Sequence, residues 1–149
     1  MSLVMRMVML GRGTVGGNSA RAVAVAGISR ASAISAGGGH TCALLATGTV
    51  RCWGDNRAGQ LGSKTAGGSK LSLESPRGNI EIELGWAPSP TPVTVGEIST
   101  ATVLAAGLDH TCVLLADGAV RCWGGNVFGQ LGRRSRPFLS LVPVPIEGL

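Results

Sequence analysis

Two stretches of the chain are nearly the same string: HTCALLATGTVRCWGDNRAGQLG from His40 to Gly62 and HTCVLLADGAVRCWGGNVFGQLG from His110 to Gly132. Of 23 aligned positions 17 are identical, at a constant offset of 70. Self-similarity at fixed spacing means a repeat architecture, in which one unit cannot bury its own faces and must stack on a neighbour. No other feature of the chain restricts its fold as strongly.

The period is shorter than the offset. Leu10-Gly11, Leu61-Gly62 and Leu131-Gly132 mark unit ends, and Ala22-Val23, Pro92-Val93 and Pro143-Val144 mark unit starts. Start and end lie 40 positions apart in both units, and end to next start is 11, then 30, then 11 positions, so the natural period is 51 and the middle spacer carries 19 extra residues. The expected organisation is a degenerate end of a preceding repeat with its linker (1–21), repeat unit 1 (22–62), a spacer with the insertion (63–91), repeat unit 2 (92–132), and a linker with the start of a further repeat (133–149). Two whole units flanked by two stubs read as a window cut from a longer array.

Composition agrees with a packed β protein. The 24 glycines and 7 prolines of the 149 residues fall at turn-like intervals, and no helix-period stretch interrupts them. No run approaches the ~20 apolar residues that span a bilayer, so no membrane association is expected. The opening MSLVMRMVML is broken by Arg6 and lacks a small-residue cleavage pattern, which argues against a signal peptide. The net charge of +5 reflects 8 acids against 13 bases, and the bases are scattered except for Arg133, Arg134 and Arg136. Nucleic-acid binding wants a clustered basic face with stacking aromatics, so it is not expected here.

Within each unit, two apolar runs flank a short loop, Ala46-Thr47-Gly48 in the first and Ala116-Asp117-Gly118 in the second. A type I turn followed by a left-handed glycine is the common three-residue hairpin loop. It pairs residue 45 with 49, 44 with 50 and 42 with 52, so Cys42 faces Cys52, and Cys112 faces Cys122 by the same count. That rung is a non-hydrogen-bonded one, where Cα atoms approach to about 4.5 Å, within a disulfide's range. The cysteines therefore read first as disulfides, then as buried free thiols, and last as metal ligands, because zinc sites usually bring ligand pairs at closer spacing. Both faces of the hairpin are apolar: Cys42, Leu44, Val50 and Cys52 on one, Ala43, Leu45 and Trp53 on the other, broken only by Arg51. Such a sheet must be covered on both sides.

His40 and His110 occupy the same repeat position, which fits a structural ring nitrogen satisfying backbone; a catalytic histidine is expected once, beside a unique nucleophile. With Trp53 and Trp123 they are structural repeat positions, and no catalytic residue, metal site or cofactor is expected. Gly11–Gly16 matches a dinucleotide-binding glycine pattern, but the helix such a loop requires does not follow. The insertion is the least repetitive segment. Leu71–Leu73, a turn around Ser75–Asn79 and Ile80–Trp86 read as an extra β-hairpin. Its Arg77 and Trp86 are the candidate binding residues, since projecting loops on a rigid scaffold carry binding and an exposed Trp is a preferred anchor. The competing expectation is that its apolar side packs on the parent sheet.

The string Gly-x-x-His-Thr-Cys-x-Leu-Leu-x-x-Gly-x-Val-x-Cys-Trp-Gly-x-Asn-x-x-Gly-Gln-Leu-Gly resembles the regulator-of-chromosome-condensation repeat in its bacterial, cysteine-containing style. The resemblance runs from Ala22 to Leu149 apart from the insertion. It implies an all-β fold, a fragment of a seven-bladed β-propeller of stacked antiparallel blades; two units cannot close such a ring. The function it implies is a non-enzymatic module for protein–protein interaction with an unidentified protein partner. Two sharper alternatives follow from the family: a guanine-nucleotide exchange regulator of a small GTPase, or an exported binder similar to the β-lactamase-inhibiting propellers. Paired cysteines would favour a periplasmic or extracellular compartment, and reduced ones the cytoplasm. Open blade edges would invite self-association.

Overall fold

Short β-branched and apolar runs punctuated by glycine turns form strands throughout. The computed structural model describes residue 11 and residues 20–64, 69–84, 87–132 and 138–146, with side chains described for all of these except 69–71 and 82–84. Among the described residues ten strands follow in order: β1 (Ala31–Ala36), β2 (His40–Leu45), β3 (Val50–Gly54), β4 (Ser69–Leu73), β5 (Ile80–Leu84), β6 (Ser89–Thr94), β7 (Ala101–Ala106), β8 (His110–Leu115), β9 (Val120–Gly125) and β10 (Leu139–Pro145). They build two four-stranded antiparallel sheets, β1-β2-β3-β6 and β7-β8-β9-β10, and a separate two-stranded hairpin, β4-β5. We call the two larger sheets blade 1 and blade 2.

The register of each central hairpin follows from its loop. Leu45 N–H donates to Thr49 O at 2.9 Å and Gly48 N–H to Leu45 O at 2.9 Å. Gly48 and Gly118 take φ of +85° and +87°, left-handed values that only glycine adopts without strain. With the loop closed this way Cys42 pairs with Cys52, Leu44 with Val50, and Cys112 with Cys122.

The irregular rungs are repeated as faithfully as the regular ones. β1 bulges against β2 between Ala31 and Ala33, and β7 against β8 between Ala101 and Val103. The intervening hydroxyls, Ser32 and Thr102, donate to Leu44 O and Leu114 O at 3.3 and 3.2 Å. In the outer strands Ser89 and Ser140 donate to Thr91 O and Val142 O, both at 2.7 Å, across a second irregularity. A short hydroxyl side chain thus ties each bulge to backbone, which keeps the polar groups freed from the ladder satisfied.

The sequence period and the blade are out of phase. The fourth strand of blade 1 is β6, which spans the end of the insertion-bearing spacer and the Pro92-Val93 mark that begins unit 2. The chain therefore finishes one sheet with the head of the next unit, and each unit boundary lies inside a sheet. The outer strands carry Pro90 and Pro92 in β6 and Pro143 and Pro145 in β10. Proline has no N–H to offer a further strand, so the outer edges are poor templates for edge pairing. The expectation of self-association through blade edges is weakened on that ground.

The core lies between the blades. The cysteine face of blade 1 (Cys42, Leu44, Val50, Cys52) packs with Leu61, Val95 and Ile98 against Val113 and Trp123 of blade 2. Full burial of side chains this size is worth ~1.5–3 kcal/mol each, so this layer dominates the cohesion of the two sheets. The tryptophan face of blade 1 is covered instead by the chain's own head, with Ala43 and Trp53 packed against Val25 and Ile28. Ala26 N–H donates to Gly11 O there, as Gly96 N–H donates to Gly62 O at the equivalent place in unit 2. The Leu-Gly mark at residue 11 accordingly does the backbone work of the one at residue 62.

Candidate functional site

The most elaborate polar constellation is buried at the junction of the two blades. His40, at the start of β2, is 2% exposed and lies with its Nε2 2.8 Å from Thr111 Oγ1 on β8. The Thr111 hydroxyl reaches Gln60 O at 3.3 Å, and Trp123 Nε1 donates to the same carbonyl at 2.9 Å. Thr111 has one proton and spends it on Gln60 O, so its oxygen accepts from His40 Nε2–H. That assignment leaves His40 Nδ1 as an acceptor, buried and without a hydrogen-bond partner. Burial is the largest influence on this ring and pulls its pKa down to about 4, against the opposing pull of Asp55. His40 is a neutral strut at pH 7. It joins the blades through a side-chain hydroxyl, where backbone had been expected.

His110 holds the equivalent place in blade 2 but is partly exposed, and its Nδ1 is 3.7 Å from Asp109 Oδ1. The carboxylate beside each histidine has moved between the two units. Unit 1 has Gly39 on the β1–β2 turn and Asp55 after β3, while unit 2 has Asp109 on the turn and Gly125 at the end of β9. The two positions touch: a Cβ placed on Gly39 would lie 3.1 Å from Asp55 Cβ, and one on Gly125 2.5 Å from the Asp109 carboxylate. Room exists for one carboxylate per unit. Burial raises the Asp55 pKa, but hydrogen bonds from Arg57, at 2.8 to 3.2 Å, outweigh it and hold the carboxyl below its ordinary value.

The tail loops are stapled by side-chain amides. Asn56 Oδ1 accepts Leu61 N–H and Asn126 Oδ1 accepts Leu131 N–H, each at 3.0 Å. Gln60 and Gln130 accept Ala58 and Phe128 N–H, each at 2.9 Å. These residues, with Thr111, were missed as structural contributors, although their identity in both units was the available signal. Arg51, which interrupts the tryptophan face, donates from Nη1 to Gly27 O at 3.0 Å.

In both hairpins the cysteine sulfurs are bonded, Cys42 to Cys52 and Cys112 to Cys122, with Cα–Cα distances of 4.1 Å. A sulfur so bonded is not a thiolate ligand. Among the described residues no group of three or more His, Cys, Asp or Glu could hold a metal ion. Among the described residues no helix is long and apolar enough to cross a membrane.

The insertion forms the β4–β5 hairpin in the register Leu73↔Ile80 and Leu71↔Ile82, and among the described residues it pairs with no other strand. Its turn is closed by Gly78 N–H to Ser75 O at 3.0 Å, with Arg77 exposed at the tip. The cross-strand pair below it, Leu73 and Ile80, is 45% and 54% exposed, so at this end the apolar side is not packed on the parent blade. Trp86 lies outside the described residues, as do Arg133, Arg134 and Arg136 and all of the glycine-rich stretch but Gly11.

A family model described as the regulator of chromosome condensation (RCC1) repeat matches residues 31–60 and 102–130. The chain is 38% identical over 114 residues to mouse "Secretion-regulating guanine nucleotide exchange factor", covering 76% of this chain and 22% of that protein. It is 28% identical over 129 residues to mouse "RCC1 domain-containing protein 1", covering 74% of this chain and 34% of the relative. The crystal structure of Saccharomyces cerevisiae Prp20p, described with its binding properties to Gsp1p and histones, superposes with a TM-score of 0.69 at 17% identity, over 96% of this chain and 32% of that one. The chain thus spans between 22% and 34% of the length of each of these proteins.

Two expectations are corrected by these likenesses. The relatives are eukaryotic, so the bacterial style read from the cysteines is not supported. The exported compartment is not upheld either: the structure on which the chain superposes is that of Prp20p, described with its binding properties to Gsp1p and histones, and not that of an exported protein. The facing of the cysteines on a hairpin rung is set by the loop's register and is the same in any compartment, so that facing does not by itself argue for export. With two repeats matched and both folded as four-stranded antiparallel sheets, the chain carries at least two repeats of the regulator-of-chromosome-condensation (RCC1) type.

Proposed function

We propose that this chain is a non-catalytic interaction module that contributes part of a docking surface for a small GTPase, in the manner of a guanine-nucleotide exchange factor. The observation that carries the reading is the 38% identity over 114 residues to a secretion-regulating exchange factor. The site chemistry fits it. The buried histidine is neutral and engaged in joining blades, the described cysteines are bonded to each other, and what remains exposed is a projecting hairpin with an apolar pair and a cation at its tip. Family likeness further supports two blades of a seven-bladed ring as the setting of this surface.

An exchange factor works by preferring the nucleotide-free state of its partner, because a ligand shifts an equilibrium only by its differential affinity for the two states. The test is titration of the 149-residue chain against Gsp1p and other small GTPases, each in GDP-loaded and nucleotide-depleted form. The expected result is tighter binding to a nucleotide-depleted form, weakened by Leu73→Asp or Ile80→Asp in the hairpin. Equal affinity for both forms of every GTPase would refute the reading.

A further inference from the structure

Each unit keeps one carboxylate at the same corner of its blade, but only unit 1 keeps a cation with it. The tail loops otherwise match position for position, Asn56 with Asn126, Gly59 with Gly129 and Gln60 with Gln130. Arg57 grips Asp55 from Nε at 3.0 and 2.9 Å and from Nη2 at 2.8 Å, and under it the Asp55 side chain is 17% exposed. In unit 2 the carboxylate comes from Asp109, on the β7–β8 turn, and lies over Gly125, the residue at the Asp55 position; Val127 stands at the Arg57 position. Among the described residues no arginine or lysine pairs with Asp109, whose side chain is 36% exposed and has the His110 ring 3.7 Å away. Val127 is 63% exposed, an apolar side chain left in the open where unit 1 has its guanidinium.

This corner stays open with a neighbouring blade on either side. Asp109 and Val127 are exposed although blade 1 packs against one side of blade 2. Blade 1 shows the other case, because blade 2 packs against its far side and Gly59 of its tail loop lies against Leu141 of β10. There Gly39, at the Asp109 position, is still exposed, and the Arg57 side chain is 79% exposed. A further blade beyond blade 2 would therefore leave Asp109 within reach of solvent.

We propose that this corner of blade 2 binds an arginine side chain of a partner polypeptide. Asp109 takes the guanidinium as Asp55 takes that of Arg57, and Val127 offers its methyls to the apolar residues beside the arginine. The planar fork of a guanidinium fits a carboxylate through two or more N–H groups at once, which an ammonium does not reproduce, so arginine is favoured over lysine. The site lies away from the β4–β5 hairpin and stands whether or not that hairpin docks a GTPase.

The test is carbon NMR of the 149-residue chain, following the Asp109 carboxyl carbon and the Val127 methyls during titration with the peptide Ac-Leu-Arg-Leu-NH2 and its lysine and citrulline counterparts. The arginine peptide is expected to shift both signals at millimolar concentration. The lysine and citrulline peptides, and the arginine peptide with Asp109→Asn, are each expected to bind about fivefold more weakly. Val127→Arg supplies the cation from within, as Arg57 does in unit 1, so it should move the Asp109 signal without peptide and abolish the response to it. Val127→Gln, extended but uncharged, should leave the Asp109 response in place and shows that the loop tolerates the change. An Asp109 signal indifferent to the arginine peptide, equal responses to arginine and lysine, or a Val127→Arg chain that still responds would each overturn the proposal. So would an Asp109 signal that moves with protein concentration alone, which would make a second copy the occupant, or one that answers the peptide only after Arg133, Arg134 and Arg136 are changed to Gln, which would make the chain's own linker the occupant.

Discussion

Thr111→Val tests whether the buried strut between the blades is energetic or merely well placed. The substitution keeps the shape of the side chain and removes one hydroxyl from a residue that is fully buried. Gln60 O keeps its bond from Trp123 Nε1 at 2.9 Å, so the carbonyl is not orphaned. His40 loses its 2.8 Å partner, and with Nδ1 already unpartnered, neither ring nitrogen then has one. A buried donor left unsatisfied costs roughly 1–3 kcal/mol. The internal control is Thr41→Val, the same change at the same repeat position, where Thr41 is half-buried. Away from a buried network such a change is usually within about 0.5 kcal/mol. Urea unfolding of both variants at low protein concentration would read the difference as a lowered midpoint at unchanged slope. A cycle with His40→Ala should return a coupling between His40 and Thr111 of roughly 1 kcal/mol or more. Equal costs for Thr111→Val and Thr41→Val, or no coupling in the cycle, would refute the assignment of the strut.

Three further outcomes are expected. His40 has its folded pKa at about 4 against 6.5 for the free ring, so the fold favours the neutral form; that stability is complete above about pH 6.5 and is lost as pH falls towards about 4. The loss amounts to roughly 3 kcal/mol across that window, and a urea midpoint that is flat with pH, or unaltered by His40→Gln, would contradict it. Reducing either disulfide, which closes a loop of sequence separation 10, should cost up to about 2–3 kcal/mol in the chain-entropy model, discounted because the hairpin also forms without it; thermal unfolding with and without reductant measures this, and identical curves would show the bonds to be idle. Gly118→Ala should cost about 1–2 kcal/mol from its left-handed φ alone, whereas Gly48→Ala adds a Cβ only 2.5 Å from Ser99 O and should cost distinctly more. Equal penalties, read from unfolding midpoints, would mean that the Gly48 turn does not dock on the neighbouring blade.

The local ladder was legible in the residues themselves. A three-residue loop with glycine at its end sets the pairing of Cys42 with Cys52 and of Cys112 with Cys122, because turn geometry fixes register and register fixes which side chains share a face. Two apolar faces on one hairpin likewise demanded a cover on each side, and the insertion's turn chemistry foretold the β4–β5 hairpin. Tertiary structure decided what sequence periodicity averages away. Blade 1 is completed by β6, a strand from beyond the insertion, so the unit seen in the sequence is not the unit that folds. Identical residues also acquire different fates: Leu44 is buried and Leu114 open, and His40 bonds across the junction while His110 sits beside Asp109. Repeat position determines the local backbone, which depends on neighbours along the chain. Burial, tautomer and pKa depend on which surface is brought against it from some 70 residues away, and only packing supplies that.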